Sequence, residues 1–150
     1  MASSLHGNKI NFFFENVGLD LRHRKSLRKV IEYIFREEGT FVVNLNYIFS
    51  TDAALLKINR KYLKHDYYTD ILTFDLTERP GQIMADIYIS VDRVRENSRE
   101  ETTPFKEELH RVMFHGALHL CGYEDRTSTE RRRMRRLEEH YLKIYQTRFT

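Results

Sequence analysis

The chain has a single cysteine, Cys121, two prolines and no tryptophan among its 150 residues. One cysteine cannot close an internal disulfide, which excludes a secreted, disulfide-stapled scaffold and fits a reducing compartment. No apolar run approaches the roughly 18 residues of a membrane span, and the stretch from Met1 to Lys9 lacks the apolar segment of a secretory signal peptide. The expected location is the cytoplasm, with no membrane partner. Strong net charge is also missing: at +3 the chain as a whole is no polyelectrolyte trap for nucleic acid, so any basic face has to come from local clustering. Internal repeats, low-complexity tracts and linkers are absent as well.

What is present is an ordinary globular balance, 41% hydrophobic and 31% charged. At this length one core buries roughly two-thirds of the unfolded surface, so residues 1–150 read as one domain. Ile10 to Phe14 is a short apolar run suited to a strand. Asp20 to Glu38 has helical spacing, with Leu27, Val30, Ile31, Ile34 and Phe35 on one face and Gly39 placed to end it. From Thr40 to Ser50 the period becomes two: Phe41, Val43, Leu45, Tyr47 and Phe49 alternate with a set containing Asn44, Asn46 and Ser50, a strand with one buried face. Thr51 or Asp52 can cap a second helix with Leu55, Ile58, Tyr62 and Leu63 along one side, after which Lys64 to Thr69 reads as a loop. Ile71 to Leu76 and Ile83 to Val91, joined through the Pro80-Gly81 turn, are expected to form a hairpin.

Ser90 can open a helix containing Val91 and Val94, and Thr103-Pro104 opens the next, with Thr103 as cap and the proline at the first helical position. That helix becomes apolar on all sides from Val112 to Cys121, which places it at the centre of the fold. Thr127 and Glu130 match a capping box for a last helix through about Tyr145, with Met134, Leu137, Tyr141 and Ile144 as its inner stripe. The class is α/β, more closely α+β: a mixed sheet of about four strands packed with about five helices around a central, histidine-bearing helix.

The chemistry concentrates in Phe114-His115-Gly116-Ala117-Leu118-His119-Leu120-Cys121-Gly122-Tyr123-Glu124-Asp125. Residues four apart project from one helix face, so His115 and His119 can offer two imidazoles to one ion. Gly122 accepts the left-handed backbone that ends a helix, and the reversal lets Asp125 return as a third ligand. Three protein ligands leave a coordination position open for water, the mark of a catalytic site. The bland reading is a chance pair of core histidines. Against it, an apolar helix does not readily bury two unpartnered imidazoles, at roughly 1–3 kcal/mol per unsatisfied group. Zinc proteases carry a Glu after the first such histidine as general base; here Gly116 stands there. Glu124 is an alternative oxygen ligand or a surface carboxylate, His110 lies on another helical face, and Cys121 reads as a core filler.

These residues resemble the YbeY family of bacterial rRNA maturation factors, single-domain metal-dependent endoribonucleases. The family motif is His-Gly-x-Leu-His-Leu-x-Gly-Tyr-Asp-His, and His115 to Tyr123 matches every fixed position. The resemblance runs upstream through Asn59-x-x-Tyr62, Asp66, Thr69 to Phe74, Asp86 to Ser90 and Glu108-Leu109-x-Arg111. It implies a metallo-hydrolase that cuts single-stranded RNA in rRNA processing and ribosome maturation or quality control, with rRNA and the small ribosomal subunit as partners and no DNA. The expected cofactor is one zinc ion held by His115, His119 and Asp125. The family's final Asp-His is Glu124-Asp125 here, and a carboxylate in place of the third nitrogen leaves manganese, iron or nickel open. The family also has Arg after the tyrosine of Asn-x-x-Tyr, an arginine implicated in RNA chemistry; Leu63 occupies that position.

Lys61 and Lys64 are candidates to supply that missing charge, although a lysine is a point charge and not a planar fork. Arg126 follows the ligand loop, and Arg131, Arg132, Arg133, Arg135 and Arg136 open the last helix. That run is either a solvated face balanced by Glu130, Glu138 and Glu139 or a phosphate contact, with Arg126 and Arg131 nearest the ligands. Tyr67 and Tyr68 can stack on bases or pack on the sheet. Two other functions compete: a ribosome-assembly binding factor whose metal is structural, favoured by Leu63, and a small metalloprotease, disfavoured by Gly116.

Overall fold

The order of alternating and helical patterns leads to one layer of strands with helices packed on it, and a computed structural model describing residues 8–150 shows this arrangement. Residues 1–7, most of the stretch read as lacking a signal peptide, lie outside the described residues. The elements are β1 (Ile10–Phe14), α1 (Arg24–Glu37), β2 (Phe41–Ser50), α2 (Asp52–Leu63), β3 (Ile71–Asp75), β4 (Gln82–Ser90), α3 (Val91–Glu101), α4 (Phe105–Leu120) and α5 (Ser128–Ile144), closed by a π-helical turn over Tyr145–Phe149. The sheet order is β1-β2-β4-β3. β1 and β4 run parallel to β2, and β3 pairs antiparallel with β4 as the expected hairpin. Among the described residues no helix is long and apolar enough to cross a membrane.

One sheet face carries the core. Phe12, Tyr47 and Ile87 stand in register across β1, β2 and β4 and are buried, with Arg28 of α1 over the Phe12 ring. The Tyr47 hydroxyl donates to the Met113 carbonyl of α4 at 2.9 Å. α4 sits close because Gly116 has no side chain: a Cβ there would stand 2.9 Å from Ile71 Cδ1 and 3.0 Å from Ile87 Cδ1. The residue after His115 therefore faces the sheet.

Several expectations need correction. The first helix starts at Arg24, not Asp20: His23 takes the left-handed conformation at φ 57°, and the irregular segment before it tucks Leu21 into the core. In β2 a bulge between Val42 and Asn44 reverses the alternation, since one extra residue moves all side chains before it to the other face. Phe41 and Val43 are thus exposed and Val42 is buried, whereas Leu45, Tyr47 and Phe49 point inward as expected. α2 is capped by Thr51, which accepts from the Ala54 N–H, but Tyr62 and Leu63 are exposed. The buried positions are Leu55 and Asn59, the Asn59 amide donating to the Tyr67 carbonyl at 3.0 Å. Thr103 does not cap α4, because its N–H bonds the Ser98 carbonyl at the end of α3 and its hydroxyl is buried without a partner. Pro104 occupies the N-cap position itself. Ser90 caps α3, and α5 has the full Thr127/Glu130 capping box.

His110 lies inside, 4% exposed, edge-on to the Tyr145 ring with centroids 5.0 Å apart. Burial pushes its pKa down to about 4, with Lys106 and His23 adding to the shift. A depressed histidine pKa means that the unfolded chain binds the proton more readily. The contribution is fully present above the unfolded value of about 6.5 and is lost as the pH falls toward about 4, amounting to about 3 kcal/mol at most. His110→Phe should flatten the decline of the melting temperature over that window relative to wild type. Parallel pH profiles of the two proteins would contradict this role.

Candidate metal centre

The site is built from the end of α4 and the turn after it. Gly122 at φ 101° reverses the chain, with its N–H bonded to the His119 carbonyl at 3.0 Å and that of Tyr123 to the Leu118 carbonyl at 3.1 Å. This closure satisfies the last helical carbonyls and turns Asp125 back over α4. His115 Nε2 and His119 Nε2 are 2.9 Å apart, and Asp125 Oδ2 stands 3.2 Å from the first and 3.4 Å from the second. Two tetrahedral zinc ligands at about 2.05 Å from the ion are about 3.3 Å apart, so the observed separations match what one ion asks for. This is the one group of three such donors among the described residues that could hold a metal.

Hydrogen bonding fixes which nitrogen each ring presents. His119 Nδ1 lies 2.8 Å from the Tyr123 carbonyl, which can only accept, so Nδ1 carries the proton. His115 Nδ1 lies 2.6 Å from Glu138 Oε2, a carboxylate that likewise accepts. Both neutral rings then aim an Nε2 lone pair at the same point, beside a carboxylate oxygen. Three electron-rich atoms so close together require positive charge. In the metal-free protein the demand appears as proton affinity: burial disfavours charged His115, but Glu138, Asp125 and Asp70 outweigh it, and its pKa is raised.

Glu138, the partner of His115, was expected from the sequence only as a surface counter-charge; it is 5% exposed. The signal was its place on the inner stripe of α5, four residues after Met134 and three before Tyr141, both 2% exposed. Behind it lies buried Arg111, with Nη1 3.6 Å from Glu138, Nη2 2.7 Å from Glu139 and Nε 3.4 Å from Glu108. Arg111 Nε and Nη1 and Glu108 Oε1 make no hydrogen bond, so those two contacts are pairing by proximity, while Arg111 hydrogen-bonds Glu139.

The cluster lies between two depressions. One of about 360 Å³ is lined by His115 and Asp125 with Asp70, Arg111, Arg131 and Arg135. The other, of about 330 Å³, runs from His119 and Glu124 along the edge strand β3 at Ile71, Thr73 and Asp75. Burial pushes the Asp70 carboxyl above its ordinary pKa, partly offset by His115 and Asn97; this cavity acid also went unassigned in the sequence.

The other expected residues divide. Arg131 reaches the cavity and donates to the Arg126 carbonyl at 2.7 Å, whereas the Arg126 side chain projects into solvent. Lys61 and Lys64, on the exposed end of α2, line neither depression. Arg135, expected only as one of the arginine run of α5, lines the first cavity and pairs with Glu101 at 3.2 Å. Tyr67 stacks on His65, and Tyr68 lies under the Arg93 guanidinium; both rings remain about half exposed. Glu124 is outside the ligand group. Cys121 packs against the core, and burial pushes its thiol up to about 12, in keeping with a filler.

Known proteins resemble this chain in sequence and fold. The family described as endoribonuclease YbeY matches residues 10–146. A Cytophaga hutchinsonii protein named endoribonuclease YbeY is 46% identical over 135 residues, covering 90% of this chain and 94% of its own length. One of the same name from Christiangramia forsetii is 43% identical over 137 residues, 91% and 94% of the two chains. A Thermotoga maritima protein whose structure was solved in solution superposes with a TM-score of 0.60 at 30% identity, over 91% of this chain and 88% of that one. The chain belongs to the endoribonuclease YbeY family.

Proposed function

We propose that this protein is a metal-dependent, single-strand-specific endoribonuclease of the cytoplasm, acting on rRNA at the small ribosomal subunit during its processing and maturation. The observation that carries the reading is the convergence of His115 Nε2, His119 Nε2 and Asp125 Oδ2 on one point. Two imidazole nitrogens and a carboxylate suit zinc, with manganese, iron and nickel acceptable to the same donors. When bound, the ion supplies a Lewis acid and an activated water for attack on a phosphodiester.

The protein's own residues account for the rest. Glu138 and the Tyr123 carbonyl hold the two rings in the ligating tautomer. Depressions on both sides of the ligand cluster let a strand continue past the reacting phosphate in either direction, which suits internal cleavage. Arg131 and Arg135 beside the first cavity put cations where a neighbouring phosphate would lie, and the solvent-exposed Arg126 adds charge in the loop after Asp125. These are better placed than Lys61 and Lys64 to offset the lack of an arginine at Leu63. Contacts of this kind release counterions, so RNA binding should weaken steeply with salt. Protease chemistry finds no support, because Gly116 faces Ile71 and Ile87 of the sheet. A structural metal in a ribosome-assembly factor is the second reading, favoured by Leu63.

Three measurements test these statements. His119→Ala should abolish both stoichiometric metal and cleavage of single-stranded RNA; cleavage by the metal-free variant would reject the mechanism. Chelation of the wild-type protein should stop cleavage while the helical circular dichroism persists, whereas unfolding on chelation would favour the structural metal. Asp125→Ala should lose the ion while Glu124→Ala retains it at one per chain, as read by elemental analysis after gel filtration. The reverse pattern would assign the third ligand to Glu124.

A further inference from the structure

The three donors leave one question of mechanics: what holds the loop that carries Asp125, given that its side chain is 39% exposed. The loop leaves α4 at Gly122 and reaches Asp125 within three residues, and its middle residue is pinned from a distant part of the chain. The Tyr123 hydroxyl donates to Glu38 Oε1 at 2.6 Å, across 85 residues of sequence. The other oxygen of the same carboxylate accepts from the Tyr141 hydroxyl of α5, also at 2.6 Å. Short O–H···O⁻ bonds of this length are the charge-assisted, stronger kind. Glu38 is the C-cap residue of α1, immediately before Gly39, so one carboxylate ties the end of α1 and the last turn of α5 to the ligand loop.

Tyr123 is held at three points. Its N–H bonds the Leu118 carbonyl, its hydroxyl bonds Glu38, and its carbonyl receives the Nδ1 proton of His119 at 2.8 Å. The third contact sets the tautomer and rotation of a candidate ligand, and the first two fix where that carbonyl stands. Removing the hydroxyl anchor frees the peptide that orients His119, two residues from Asp125.

We infer that Glu38 and Tyr123 are positioning residues for the metal centre: the Glu38 carboxylate acts through the Tyr123 hydroxyl to hold the loop in its ligating geometry, and Tyr141 braces that carboxylate. The inference rests on the metal reading proposed above. Groups of this kind behind a ligand typically change metal affinity by about 10–100-fold. A purely structural clamp between α1 and α5 would alter stability alone.

The test uses the full chain, stripped of metal and titrated with zinc against a chromophoric chelator, with the cobalt-substituted protein examined by visible absorption. Tyr123→Phe keeps the ring and the carbonyl and removes only the anchor. It should raise the zinc dissociation constant about tenfold or more and weaken the cobalt bands. Glu38→Gln, the second variant in case the first does not fold, should move the same way, and the double variant should be no worse than Tyr123→Phe alone, because both act through one contact. Tyr141→Phe should lower the melting temperature of the metal-free protein with little change in zinc affinity. Wild-type affinity and an unchanged cobalt spectrum in Tyr123→Phe, whatever its melting temperature, would overturn the positioning role and leave the metal reading intact. If the wild-type protein bound no zinc and no cobalt, both would fall.

Discussion

Two imidazole lone pairs and a carboxylate oxygen, between 2.9 and 3.4 Å apart, repel one another unless a positive charge lies among them. The rest of the structure enforces this arrangement when it could have relaxed it. The Tyr123 carbonyl and the Glu138 carboxylate each accept a hydrogen bond from an Nδ1–H and so disfavour the tautomer that would let a ring turn its N–H toward its neighbour. Burial of α4 on the sheet and the capping of α5 fix the positions from which the groups act. Glu138, and after it Asp125 and Asp70, raise the pKa of His115 against the cost of burial; a divalent cation among the three donors would balance their charge and leave a coordination position to spare.

The fold serves that point economically. Tyr47, through its bond to the Met113 carbonyl, and the absence of a side chain at Gly116 bring α4 down onto β2, β4 and β3. His115 and His119 stand at its carboxyl-terminal end, next to the edge strand. An edge strand has no neighbour on one side, and here that side opens the trough at Ile71, Thr73 and Asp75. α5 forms the opposite wall, its buried side supplying Glu138 and its exposed side Arg131 and Arg135. The two candidate histidine ligands and the cationic groups therefore come from helices whose other faces are locked into the core.

Much of this was legible in the order of residues because the governing signals are local. Two histidines four apart, a glycine after the last helical turn and a carboxylate three residues later specify a face, a reversal and a third donor. The hairpin at Pro80-Gly81 and the Thr127/Glu130 box are similarly complete within a few residues. What could not be read depends on distant partners. The bulge between Val42 and Asn44 is a property of pairing with β4, and periodicity within β2 alone placed Phe41 and Val43 on the wrong face. Thr103 has a good capping side chain, but its backbone is committed to ending α3. Glu138 sits in a run dense with charge, where one acid on the buried stripe looks like its exposed neighbours. Glu38 becomes significant only once Tyr123 and Tyr141 meet it.

The most direct measurement of the central claim is anomalous diffraction, at the absorption edge of the bound metal, from crystals of the protein as purified. The account predicts one peak about 2.0–2.2 Å from His115 Nε2, His119 Nε2 and an oxygen of Asp125, with Nδ1 of the two rings still bonded to Glu138 and the Tyr123 carbonyl. A refined structure with no peak there, or with the Asp125 carboxylate turned away from both imidazoles, would contradict it.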